Sequence, residues 1–229
     1  MNSNYDFARE LYPFLYPSTD GSTESDRALL DSVRSSTLAK CAEVIALRSE
    51  MLLEYEEQLE MAAIKMARQF SGGGKLLAFG NGGSATDADD AAIDCMSPPH
   101  DEWRRLPALS LSSESATVTA LANDVGLENV FARQIGALGE RGDIALGFST
   151  SGNSANIVAA FAEANRRGLL TIAFTGYDGG IVARSGAVDF CFTARREFVP
   201  RIQEGHATLW HTLLELVQLT LAGKAEQCV

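Results

Sequence analysis

Cysteine, histidine and proline are scarce in this 229-residue chain, with four Cys, three His and six Pro. Cys41, Cys95, Cys191 and Cys228 stand far apart and form neither a CxxC pair nor the Cys/His spacing of a zinc site. They read as free thiols, three of them core fillers, in a reducing compartment, so the expected location is cytoplasmic. Basic residues are also few. Lys and Arg number 19 against 30 Asp and Glu, for a formal net charge of -11. That balance excludes a phosphate-backbone surface, which needs clustered cations to displace counterions, and it excludes docking on anionic membrane. No apolar run approaches the ~20 residues that span a bilayer. The opening MNSNYDFARELYPF lacks the basic and apolar regions of a signal peptide. What is present is an ordinary globular composition, 46% hydrophobic and 21% charged.

Residues 1–35 read as a lead segment of uncertain order, with Pro13, Pro17 and the run STDGSTES. From about Ser36 to Phe70 the pattern predicts a long helix. Leu38, Cys41, Ile45, Leu52, Tyr55, Leu59, Ala62, Met66 and Phe70 recur mostly at spacings of three and four, with a gap at Arg48. SGGG at 71–74 stops it. Beyond Gly74, short apolar runs alternate with helical stretches. The runs KLLAF at 75–79, PALSL at 107–111, DIALGF at 143–148, LLTIAF at 169–174 and AVDFCF at 187–192 read as strands. Most lack polar alternation, which predicts burial on both faces. Helices are expected near 83–97, 114–137, 154–167, 179–185 and 200–222. This alternation predicts an α/β fold with a parallel five-stranded sheet between helices.

In such sheets ligands sit beyond the carboxyl ends of the strands, where helix N-termini aim backbone N–H groups outward. Two loops fit. Gly80-Asn81-Gly82-Gly83-Ser84 follows the first strand, and Ser149-Thr150-Ser151-Gly152-Asn153-Ser154 follows the third. The second offers four hydroxyls and a glycine to a phosphate. It holds no lysine and matches neither GxxxxGK[ST] nor GxSxG, which excludes a P-loop and a nucleophile elbow. A plain capped turn is the competing explanation. The first loop also satisfies a loose GxGxxA dinucleotide pattern, with Glu114 as the nearest acid for a ribose. That signal is weak.

On the following helix Asp87, Asp90 and Asp94 share a face by their i, i+3 and i+7 spacing. Either these are solvated acids near a helix start, or Asp90 and Asp94 face a site as a base or metal ligands. In the last helix, Gln203 and His211 lie eight residues apart, about two turns, and project to nearly one face.

GNGGS at 80–84, AND at 122–124, STSGNS at 149–154, TGYDGG at 175–180 and RIQEGH at 201–206 stand in the order and approximate spacing of a known family. Together they resemble the SIS (sugar isomerase) domain family, and most closely its phosphoheptose isomerase branch. The resemblance covers about residues 36–222. It implies a single SIS domain over 36–229 of three-layer, flavodoxin-like form, with the long N-terminal helix packing between the subunits of a homotetramer. It implies an enzyme interconverting sedoheptulose 7-phosphate and a heptose 7-phosphate, with no nucleotide cofactor. Sugar-phosphate contacts would fall on Asn81, Gly82, Gly83, Ser84, Asn123, Asp124, Ser149, Thr150, Ser151, Ser154 and Gln203. The family's histidine acid/base matches His211. Asp94 stands where its glutamate is usual, and Asp90 stands where a histidine or glutamine is frequent. In members with zinc the ligands would map to Asp90, Asp94, Gln203 and His211.

The implied chemistry suits these residues. Ketose–aldose exchange through an enediol needs a base at the carbon beside the carbonyl and an acid at the oxygen. A carboxylate and a histidine on opposite sides of the sugar would serve, with the phosphate anchoring the chain remotely. The alternatives are a catalytically silent SIS module that binds a sugar phosphate or a protein partner, and a dinucleotide enzyme.

Overall fold

The computed structural model describes residues 23–223. They fall into two units, one ending at Ile45 and one beginning at Ala46. Helix α1 runs over Thr23–Ser71. It begins earlier than the expected start near Ser36, because nothing from Thr23 to Ser36 breaks a helix. Residues 1–22, with Pro13 and Pro17, and Cys228 lie outside the described residues.

The buried register of α1 differs from the sequence expectation. Within the second unit it runs through Leu47, Met51, Tyr55, Leu59, Ala62, Met66 and Phe70, whereas Leu38, Ile45 and Leu52 are exposed. Counting back from Tyr55 in fours gives Met51 and Leu47, so Leu52 and Ile45 fall on other faces. The gap at Arg48 marked that change of register.

Five strands follow: β1 (Leu76–Gly80), β2 (Ala108–Ser110), β3 (Ile144–Ser149), β4 (Leu170–Gly176) and β5 (Phe190–Ala194). All pair in parallel in the order β2-β1-β3-β4-β5. That is the flavodoxin-like order, whose switch point lies between β1 and β3. The intervening helices are α2 (Gly83–Met96), α3 (Ser115–Val125), α4 (Val130–Leu138), α5 (Ala155–Arg167) and α6 (Gly180–Arg184), closed by α7 (Val199–Leu221). The single helix expected over 114–137 is interrupted at Gly126, whose φ of 87° leaves the helical region, and a 3-10 turn at Leu127–Asn129 precedes α4.

Strand alternation sorts the core into two layers. Leu76, Ala78, Ile144, Leu146, Phe148, Ile172, Phe174 and Phe192 face α2, α7 and the second-unit part of α1. Leu77, Phe79, Ala145 and Ala173 face α4 and α5 through Phe131, Ile135, Ile157 and Phe161. Phe148 stacks on Phe174 with ring centroids 5.1 Å apart. At the opposite end of the sheet from the loops, the Lys75 ammonium and its backbone N–H both donate to Asp143, at 2.6 and 2.9 Å. This pair ties the start of β1 to the start of β3. Of the described cysteines only Cys95 is fully buried, where burial pushes its thiol pKa up and keeps it unreactive. Cys191 is half-buried and Cys41 is exposed.

Candidate active site

The loops after β1 and β3 meet at the switch point. Asn81 and Asn156 exchange amide hydrogen bonds in both directions at 2.9 Å, joining the GNGGS turn to the first turn of α5. The Ser112 hydroxyl braces the same turn from beyond β2, donating to the Gly80 carbonyl at 2.9 Å and accepting its N–H at 3.1 Å.

The 149–154 loop is pinned from behind. Gly152 has φ near +62°, and a Cβ there would collide with the Gly179 carbonyl, so only glycine fits. Val182 N–H donates to Gly152 O at 2.9 Å, and Ile181 N–H to Asn153 Oδ1 at 3.0 Å. Ser149 Oγ accepts Gly152 N–H and Ser151 Oγ accepts Asn153 N–H, both at 3.2 Å, which leaves each O–H free to donate. Ser154 is the N-cap residue of α5 yet makes no side-chain cap bond. A plain capped turn would spend that hydroxyl on the helix. This loop instead presents hydroxyls and a helix N-terminus together, an arrangement suited to a phosphate.

A second cluster lies along α2 and α7. Gln203 Nε2 is 3.4 Å from Asp87 Oδ2, while Trp210 Nε1 donates to Asp94 Oδ2 at 2.9 Å. His211 Nε2 is 3.6 Å from the same Asp94 oxygen. Equal steps along both helices carry one contact to the next, so the helices run in the same direction. Asp94 is one-quarter exposed and His211 about two-thirds, with side-chain values of 26% and 65%. The pair therefore sits side by side on one surface of the chain. Burial pushes the Asp87 carboxyl up to about 6, the Gln203 amide pulls it down, and nearby Asp90 adds to the rise. Gly83 makes room for Gln203, because a Cβ there would strike Nε2. Gly83→Ala suits the helix backbone but must displace that amide. It is expected to lower kcat/KM roughly tenfold with the melting temperature unchanged.

The histidines divide by burial. His206 is wholly buried and its Nε2–H donates to the Thr175 carbonyl at 2.7 Å, while Nδ1 has no partner. Burial drops its pKa to about 4, so it stays neutral in the core. Of the two exposed histidines, His100 packs against Trp103 with ring centroids 4.8 Å apart, and His211 is the one beside Asp94.

Other expected positions are not brought together. Asn123 donates to Asp124 at 3.0 Å at the end of α3, and among the described residues no hydrogen bond joins either to the remaining candidates. Gly82 and Gly83 shape the turn, and Ser84 is buried beneath it. Thr150 is half-buried in the second loop and Asp90 is exposed on α2. The zinc set fares no better. Among the described residues no group of three or more His, Cys, Asp or Glu could hold a metal ion. Gln203 turns to Asp87, and Asp94 is engaged by Trp210 and His211. The donors present do not fit a metal centre within one chain.

Comparison with known proteins fits this geometry. Residues 41–176 match the family model described as the SIS domain. The phosphoheptose isomerase of Thermodesulfovibrio yellowstonii is 42% identical over 176 residues, covering 77% of this chain and 87% of that one. This chain belongs to the SIS domain family, in its phosphoheptose isomerase branch. The enzyme of that name from Roseiflexus sp. is 43% identical over 69% of this chain and 80% of its own. Among solved structures, the phosphoheptose isomerase of Neisseria gonorrhoeae superposes with a TM-score of 0.74 at 35% identity, covering 81% of this chain and 98% of its own. The match to that structure accounts for the flavodoxin-like sheet.

Sequence reasoning placed Asp87 on the helix face it shares with Asp94 but gave it no role, and it missed Asn156 and Trp210. Asn156 and Trp210 sit in apolar helical runs and carry no local signal.

Proposed function

We propose that this chain is a sugar-phosphate ketose–aldose isomerase that converts sedoheptulose 7-phosphate into a heptose 7-phosphate. Membership of the phosphoheptose isomerase branch supports the substrate class. The observation that carries the reading is the Asp94–His211 pair, with its 3.6 Å contact between neighbouring helices. Asp94 takes the proton from the carbon beside the carbonyl, and His211 serves the oxygen as the enediol forms. Asp94 then returns a proton to the adjacent carbon, and the double bond moves back to oxygen as an aldehyde. The proton count balances without an added reactant. The hydroxyls of Ser149, Thr150, Ser151 and Ser154 hold the phosphate. Gln203, and Asn81 through the turn it fixes, position the sugar. No step is routed through zinc, and no nucleotide cofactor enters.

Loss of one charged hydrogen bond is worth about tenfold in affinity. Ser149→Ala and Ser151→Ala are therefore each expected to weaken phosphosugar binding roughly tenfold, read by calorimetry. Unchanged affinity in both would move the phosphate elsewhere.

The working unit in this reading is a homotetramer of a single SIS domain over 36–229, in the cytoplasm. Two observations support the assembly. Leu29, Leu30, Val33 and Leu38 of α1 are exposed. Asp94 also lies eleven residues beyond Gly83, or about 16 Å of helix rise. That is longer than the carbon chain of a heptose, so a second copy is needed to bring an acid/base pair beside the phosphate loop. Sedimentation should report four chains, and a clean monomer at micromolar concentration would contradict it. The described part of the chain has no helix long and apolar enough to cross a membrane.

A further inference from the structure

We propose that Trp210 is the positioning residue for Asp94, its indole N–H fixing the shortened carboxylate so that the other oxygen faces the substrate. The inference rests on the isomerase reading above. Asp94 carries one methylene fewer than a glutamate, so it has less reach and fewer torsions with which to find its proton. Trp210 Nε1 donates to Oδ2 at 2.9 Å, a good N–H···O distance. His211 approaches the same oxygen at 3.6 Å. Among the described residues no donor reaches Oδ1. The indole N–H on one oxygen sets the plane of the carboxylate and leaves Oδ1 as the oxygen that accepts the substrate proton.

The anchor is itself rigid. Trp210 is 2% exposed and packs in the core with Leu209, Leu213 and Leu214 of α7. It therefore transmits the position of the core to the carboxylate, where a displacement of about 1 Å can cost on the order of 100-fold in rate. Trp210 also precedes His211, so a single turn of α7 supplies both the anchor and the second proton carrier. A bland explanation runs the other way: a buried indole N–H needs some acceptor, and Asp94 is the one at hand. The two accounts differ in what happens to turnover when the N–H is removed.

Two variants remove it. Trp210→Phe deletes the donor with a loss of volume, and 3-benzothienylalanine at position 210 keeps the shape while replacing N–H with sulfur. The expected result is a kcat on sedoheptulose 7-phosphate lowered roughly 10- to 100-fold in both, with KM within about threefold of wild type. In an Asp94→Asn background, Trp210→Phe should cost no more than about threefold further, because the group it positions is already gone. A contact readout does not depend on turnover. The indole N–H resonance of Trp210, told from that of Trp103 by its absence in Trp210→Phe, should shift in Asp94→Asn. An unmoved resonance, or an unchanged kcat in the benzothienyl variant, overturns the inference while leaving the isomerase reading intact. A wild-type chain without turnover overturns the isomerase reading, and this inference with it.

Discussion

Asp94→Asn and His211→Asn are each expected to lower turnover of sedoheptulose 7-phosphate roughly 100- to 10,000-fold, the usual worth of a positioned acid or base. Phosphosugar affinity should stay within a few-fold, because the proposed phosphate site is the 149–154 loop, and no hydrogen bond joins that loop to the pair among the described residues. Each change keeps the size of its side chain or reduces it, and Asp94 and His211 are both partly exposed, so neither should unfold the chain. Steady-state kinetics alongside calorimetry separate the two effects. Asp94→Glu adds information that the deletions cannot. A longer arm cannot keep its carboxylate on the Trp210 indole and occupy the place of the shorter one. Lost activity in that variant would show a site rebuilt around aspartate. Raised activity would show a short-armed form of the standard one. Full turnover in Asp94→Asn would remove the carboxylate from the chemistry.

Mild acid is expected to cost this protein about 3 kcal/mol through His206 alone. Its folded pKa is near 4 against an ordinary value of 6.5, so the unfolded chain binds the proton first as the pH falls. The stability this neutral histidine contributes is full above pH 6.5 and is lost as the pH falls toward 4. Asp87 has the opposite sign. Its carboxyl is pushed up to about 6 from an ordinary 3.8, so its contribution is full below 3.8 and lost as the pH rises through 6. Between pH 4 and 6 the two slopes oppose each other. Difference profiles isolate each group, because the remaining carboxylates cancel. The stability gap between wild type and His206→Gln, from urea unfolding, should shrink by about 3 kcal/mol between pH 7 and pH 4. The gap between Asp87→Asn and wild type should widen in favour of the variant as pH rises over the same range. Profiles that stay parallel would place both groups in contact with solvent.

Local patterns carried most of the fold into the sequence. Strands buried on both faces read as unbroken apolar runs, and β1, β3 and β4 lie within two residues of where those runs placed them. The errors came where the pattern was degenerate. In α1 two apolar stripes overlap, and only packing selects the one through Leu47 and Met51. In the stretch from 114 to 137, Gly126 reads as a tolerated helix glycine until its positive φ is seen. The loops of the site were legible because Gly, Ser and Asn at strand ends have few other uses. Asp94 and His211 stood together only through the family resemblance, and the contact of Asp94 with Trp210 was not legible, because it depends on the relative direction of α2 and α7, which are more than a hundred residues apart.

The most direct measurement incubates the purified protein with sedoheptulose 7-phosphate in deuterium oxide and follows the sugar carbons by NMR. An enediol route through Asp94 predicts a new aldose 7-phosphate carrying deuterium at the carbon next to its aldehyde, formed by wild type and not by Asp94→Asn. Neither conversion nor deuterium uptake in wild type, with the sugar phosphate still bound, would contradict the isomerase reading and leave a binding module in its place.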